Sequence, residues 1–255
     1  MTGDEVSGPE VMPKDGPSVV ISQPMYFPWP GFFEQMALAD IYIWLDDAQC
    51  SNRSFTNRIQ VKHKDGRKWM TIPLDGRRTE TLILELKAAG DAWHKSHRNI
   101  LQQSLGGAAE LDTALALYDK AVAHPVLVDC LIASCEVLAD SLDVRPQKVF
   151  RSSDLSISSR SSQRIFDLVK AVGGTRYITG HGAAEYLDHL EFERQGISVE
   201  YMDYSLTPWP QLHGDFMPYV TALDLIATAG EEASSFLHPR TVPWREFLKS
   251  KGLPV

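Results

Sequence analysis

Residues 18–47 read SVVISQPMYFPWPGFFEQMALADIYIWLDD, and this stretch decides the fold class. Val19-Val20-Ile21 is a short apolar run stopped by Gln23-Pro24, which reads as a buried strand. Residues 25–31 form a rigid aromatic loop, because each proline fixes its own φ and restricts the residue before it. From Phe32 to Ala39 the spacing is helical, with Phe32, Phe33 and Met36 inward and Glu34 and Gln35 outward. Ile41 to Leu45 is a second buried strand ending in Asp46-Asp47. Strand, helix and strand in that order predict an α/β protein.

Further along, Ile59–Lys62 and Trp69–Ile72 alternate around Lys64-Asp65-Gly66, a hairpin signal, and Thr81 to Lys87 adds an expected strand. A helical insert follows at about residues 91–143: Asp91 to Leu105 behind an N-cap aspartate, Asp112 to Val122, and Val126 to Leu142. Alternation then resumes with strands at 148–150, 176–179 and 197–201, and helices at 161–172, after Gly182, at 219–229 and at 244–249. The expected architecture is a mostly parallel sheet with flanking helices, a β-hairpin excursion and a helical insert. Residues 1–17, acidic and rich in glycine and proline, are expected to be a disordered tail, and 18–255 a single domain.

The 255 residues are 44% hydrophobic and 23% charged, close to the globular norm, which excludes a disordered polymer or coiled coil. Acids outnumber bases by 33 to 25, against the basic surface that nucleic-acid coating needs, so no nucleic-acid partner is expected. No apolar run is long enough to span a membrane, and no signal-peptide pattern opens the chain. With the odd cysteine set Cys50, Cys130 and Cys135, the expectation is a reduced, cytoplasmic protein without a membrane partner. His94 and His97 lie one turn apart without a third ligand motif, so no metal is expected.

Ligands of open parallel sheets sit beyond the carboxyl ends of the strands. Three unusual segments fall there: Gln23 to Gly31, Asp46 to Arg58, and Thr179 to Gly182. Asp46 and Asp47 point to opposite faces unless the chain turns, so one can act as a base while the other caps a loop or pairs with an arginine. Between Arg53 and Arg78, eight basic residues face two acidic ones, a surface suited to a phosphorylated substrate or an acidic carrier protein, with Arg58 closest to the aspartates. His181, between Gly180 and Gly182, is a candidate acid or base, and His213 in Gln211-Leu212-His213-Gly214 has a similar setting.

The motifs ISQPMYFPWPGFF (21–33), LDDAQ (45–49), SFTNR (54–58), YITGHGA (177–183) and PQLHG (210–214) resemble the WbqC-like family of bacterial polysaccharide and antigen biosynthesis, over roughly residues 19–248. The chain departs from that family at Ser22, where many members carry histidine, and in Cys50-Ser51-Asn52-Arg53 after Gln49. The resemblance implies transfer of an acyl or aminoacyl group, glycyl among them, to a small-molecule amine such as an amino sugar. On this reading Asp46, Asp47 or His181 takes the proton from the attacking amine. Gln23, Asn57 and Arg58 orient the substrate or stabilise the oxyanion, Tyr26 and Trp29 wall the pocket, and Gln49, Gly180, Gln211 and His213 complete it. No tightly bound cofactor is expected, and the donor is an acyl-CoA or acyl-carrier protein. Two alternatives stand beside it. One is an ATP-dependent nucleotidyltransferase or amide ligase, from the strand–loop–helix layout at residues 19–36. The other is a non-catalytic partner whose basic hairpin docks an acidic carrier protein.

Overall fold

A computed structural model describes residues 16–51 and 54–254. All but two residues of the expected tail therefore lie outside the described residues, as does Arg53 of the basic stretch. The chain passes through β1 (Ser18–Ser22), α1 (Pro30–Ala37), β2 (Ile41–Trp44), β3 (Arg58–His63), β4 (Gly66–Thr71), β5 (Leu74–Asp75) and β6 (Lys87–Ala88). The helical insert is α2 (Ala92–Ser104), α3 (Leu111–Val122) and α4 (Leu127–Ser141). It continues through β7 (Lys148–Arg151), α5 (Ser161–Ala171), β8 (Arg176–Thr179), α6 (His189–Arg194), β9 (Ser198–Met202), α7 (Ala222–Ala229), β10 (Thr241–Pro243) and α8 (Trp244–Ser250).

Six strands form the main sheet in the order β10-β9-β8-β1-β2-β7, all parallel except the antiparallel edge strand β10. The mostly parallel α/β architecture read from the sequence is therefore present. Strands buried on both faces are near-continuous apolar runs, and β1 and β2 fit that pattern. Alternate residues separate cleanly. Val20, Tyr42, Trp44 and Ile178 pack with α1, the insert and α7, whereas Val19, Ile21, Ile41, Ile43 and Tyr177 pack with α5, α6 and α8. Both sheet edges are short: β10 has three residues and ends on Pro243, and β7 has four, opening on the exposed Lys148.

Four local expectations change. Glu34 and Gln35 are buried rather than outward, because α1 is covered by residues 204–240. Glu34 accepts from Ser205 Oγ at 3.2 Å and His238 N at 3.1 Å, and Gln35 Nε2 donates to Ile178 O at 3.2 Å. Residues 81–87 are not a regular strand but a 3₁₀ turn, Ile83–Glu85, followed by the two-residue β6. Asp91 stands at the N-cap of α2 but its side chain makes no cap bond. The last long helix starts at Ala222 rather than Tyr219, since Thr221 caps it, accepting from Leu223 N.

The turn from α5 to β8 yields a test of the packing. Gly173, at φ 74°, ends the helix, and Gly174 lies so close to β1 that an added Cβ would sit 2.3 Å from Val19 Cγ2 and 2.9 Å from Val169 Cγ1. Neither valine can retreat from the sheet–helix core. Gly174→Ala is expected to cost about 1–3 kcal/mol by overpacking, read as a drop in Tm; an unchanged Tm would contradict this packing.

Candidate functional site

The order of the sheet fixes where a ligand belongs. From the central β1 the chain moves to β2 and β7 on one side, then returns to β8 and β9 on the other. Such a reversal opens a crevice at the strands' carboxyl ends. A cavity of about 700 Å³ lies there, lined by Gln23 after β1, Leu45 and Asp47 to Gln49 after β2, Ile157 to Ser161 and Arg164 after β7, and Tyr186 after β8. Its volume is that of a site for a small-molecule ligand.

The two aspartates divide their roles. Asp46 is 1% exposed and is not among the lining residues. It accepts from Ser153 N at 3.1 Å, Ser153 Oγ at 2.8 Å and Ser152 Oγ at 3.2 Å, and so clamps the turn after β7. Asp47 lines the cavity, with one oxygen on Ser152 Oγ and the other on the Arg164 guanidinium. Ser152 has one proton for two carboxylates; its closer contact is with Asp47, and Asp46 is already satisfied by Ser153. The loop carrying both is strapped from behind by Leu84 N to Asp46 O at 2.8 Å and Ile83 N to Ala48 O at 2.9 Å.

Gln23 and Gln49 also line this cavity, and their side-chain amides have no partner among the described residues. The remaining expected residues lie elsewhere. Tyr26 is buried in the insert's core, its hydroxyl 2.9 Å from His97 Nδ1, and burial pushes His97 down to about 4, so that ring is neutral at physiological pH. Trp29 packs against Tyr204 and Tyr219. Asn57 Nδ2 donates to Ile72 O at 2.9 Å, and Arg58 stacks on Trp69 within the hairpin. Gly180 lies near the Tyr204 hydroxyl, which an added Cβ would meet at 3.4 Å. His181 bonds Met202 O through Nε2 at 2.8 Å and lines a separate cavity of about 300 Å³ with Asp203, Glu246 and Lys251. The geometry thus brings Asp47, Gln23 and Gln49 together and sets His181 and the hairpin cations apart.

Gln211, half-buried, and His213, exposed, lie at the rim of a polar cluster whose buried members are Lys62 and Asp224. Lys62, 1% exposed, donates to Gln211 Oε1 at 3.2 Å and Gly214 O at 2.8 Å, and His213 Nε2 pairs with Ser104 O at 2.8 Å. Asp224 accepts from Trp209 Nε1 at 2.8 Å. Burial pushes Asp224 up to about 6, against the lowering effects of the Trp209 bond, Lys62, His213 and Gln211. A folded pKa above the unfolded value means the native state holds the proton longer. Stability is therefore greatest below the unfolded value and falls as pH rises toward about 6. The loss is about 3 kcal/mol for a shift of this size. Urea titrations across that interval should show the slope, and Asp224→Asn should flatten it; an unchanged slope would exclude Asp224 as its source.

Several cavity residues carried little signal in the sequence. Arg160, Arg164, Ser158, Ser159, Ser161 and Tyr186 line it, and only the serine- and arginine-rich run between β7 and α5 hinted at them. A larger cavity of about 780 Å³ lies between residues 84–94 and 122–130, with Leu84, Trp93, Val126 and Leu127 on its walls. It contains none of the expected residues and lies away from the strand ends. Among the described residues no group of three histidines, cysteines or acids could hold a metal ion, and no helix is long and apolar enough to cross a membrane.

Fold and cavity define an open, mostly parallel α/β protein with a cavity at the carboxyl ends of its strands. The chain belongs to the WbqC-like protein family, whose model matches residues 23–236. A protein of Mycobacterium tuberculosis described as uncharacterised, Rv1507c, is 29% identical over 236 residues, covering 86% of this chain and 96% of its own length. No solved structure matches the chain.

Proposed function

We propose that the chain is a transferase that moves an acyl or aminoacyl group onto the amine of a small molecule, with Asp47 receiving the amine's proton. The supporting observation is the strand-end cavity in which Asp47 is the sole acidic lining residue among the described residues and is fixed by Ser152 and Arg164. A carboxylate held from two sides keeps one orientation while a free lone pair takes the proton of the attacking neutral amine; the carbon–sulfur bond of the thioester donor breaks as the amide bond forms, and the proton passes to the departing thiolate. The unpartnered amides of Gln23 and Gln49 supply donors for the acyl oxygen as negative charge develops on it. An amino sugar is the acceptor class that family membership favours.

The test is amide formation. Purified protein is offered amino sugars with glycyl and acyl thioester donors, and products are followed by mass spectrometry. Amide from at least one pair, with that activity lost in Asp47→Asn, is the expected result. No amide from any pair overturns the transferase reading, and undiminished amide from Asp47→Asn overturns the assignment to this cavity.

A further inference from the structure

Asp47 stands in this cavity beside cations. Arg160 and Arg164 both line it, and Asp47 is the one lining acid to balance them. That acid is committed to Arg164 through a single Nη2 contact, and the Arg164 Nε is buried with no hydrogen-bond partner. Leaving a donor of this kind unsatisfied costs about 1–3 kcal/mol, which is offset when a bound group supplies the acceptor. Arg160 has no acidic partner among the described residues, and Ser158 and Ser161 add exposed hydroxyls whose side chains are likewise unpartnered. Cations thus outnumber acids two to one among the described lining residues of this cavity, in a chain whose net charge is −8.

Ligand class follows from that donor set. Two guanidinium groups and two hydroxyls exceed what the two oxygens of a carboxylate can use, and match the oxygens of a phosphate or diphosphate. The cations of the β3–β4 hairpin do not compete for this role. Arg58 stacks on Trp69, Lys62 is buried against Gln211, Arg67 reaches Gln60 and Lys68 reaches His63, and none lines the cavity. We propose that Arg160 and Arg164, with the hydroxyls of Ser158 and Ser161, form a phosphate-binding subsite, so that the substrate taken by this cavity is a phosphate or diphosphate ester. This rests on the reading of the cavity as the substrate site. It puts the esterified phosphate at the start of α5, next to the amine at Asp47, so one molecule carries both groups close together.

Direct binding tests it without chemistry. Inorganic pyrophosphate and uridine diphosphate are titrated into the full chain by calorimetry, with succinate as a dicarboxylate comparison. Saturable binding of both phosphates, weakened by added salt and stronger than that of succinate, is expected. Arg160→Ala should weaken it about tenfold or more, the worth of one charge-assisted contact, and Arg67→Ala on the hairpin should leave it unchanged. Arg164→Lys, which keeps a cation for Asp47 but loses the fork, should also weaken it. No binding, binding indifferent to Arg160, binding lost in Arg67→Ala, or succinate binding as tightly as pyrophosphate would each overturn the proposal. Pyrophosphate has neither amine nor acyl group, so its binding stands or falls independently of amide formation.

Discussion

Lys62→Met is expected to lower the unfolding free energy by about 3–5 kcal/mol, among the largest losses a single side chain of this protein can produce. Methionine fills much the same volume, so the change isolates the ammonium from its packing. Without it, Gly214 O loses its 2.8 Å donor and Gln211 Oε1 its 3.2 Å one, and the buried end of the Lys62 side chain no longer ties residues 211–214 to β3. The positive charge that opposes the burial of Asp224 also disappears. Because Asp224 can take up a proton instead, the penalty should be smaller at about pH 5 than at about pH 8, where the carboxylate stays charged and uncompensated. Urea denaturation at both pH values measures this. A loss under about 1 kcal/mol at both would mean that Lys62 is not what holds residues 209–217 against β3.

Asp47→Asn is expected to reduce kcat for amide formation by about 10²–10⁴, the usual worth of a positioned general base, while KM changes little. The amide keeps the shape of the carboxylate and can still accept from Ser152 or Arg164, so the fold should persist and the loss be chemical. Asp46→Asn is the informative contrast. Its carboxylate accepts from Ser153 N and Ser153 Oγ inside the protein, and an NH₂ group turned toward Ser153 N would leave a donor facing a donor. That exchange should cost stability, about 1–3 kcal/mol, with the remaining folded protein active. Thermal melts and steady-state rates on both variants separate the roles. If Asp46→Asn lost rate and Asp47→Asn lost only stability, Asp46 would be the base and Asp47 the structural clamp.

Much of the fold is legible in the sequence, for a definite reason. Apolar runs such as Val19–Ile21 and Ile41–Trp44 have no amphipathic alternation, and only strands covered on both sides tolerate that. The pairing of one of the two aspartates with an arginine is readable, but their strand-like opposition is not: the chain turns at Asp46-Asp47, and both carboxylates come to the Ser152 hydroxyl. What local sequence does not carry is long-range pairing. Arg164 meets Asp47 across 117 positions, and Glu34 meets His238 across 204. A polar residue on a helix looks solvent-facing until the element that covers it is known, which is why Glu34 and Gln35 read as outward and are buried. The basic stretch misleads for a related reason: composition counts charge, but stacking on Trp69 and burial beside Gln211 decide which cations remain free to meet a ligand.

The margins of the main sheet bear on how the protein behaves when crowded. An exposed strand margin is a template onto which another chain can stack. In this sheet one margin is three residues long and finishes on a residue with no N–H to offer, and the other is four residues long and begins with an exposed lysine. A second molecule docking edge to edge would gain only a few backbone bonds and would have to strip water from that lysine. The protein therefore carries its own guard against fibrous stacking, built from strand length, one imino acid and one charge.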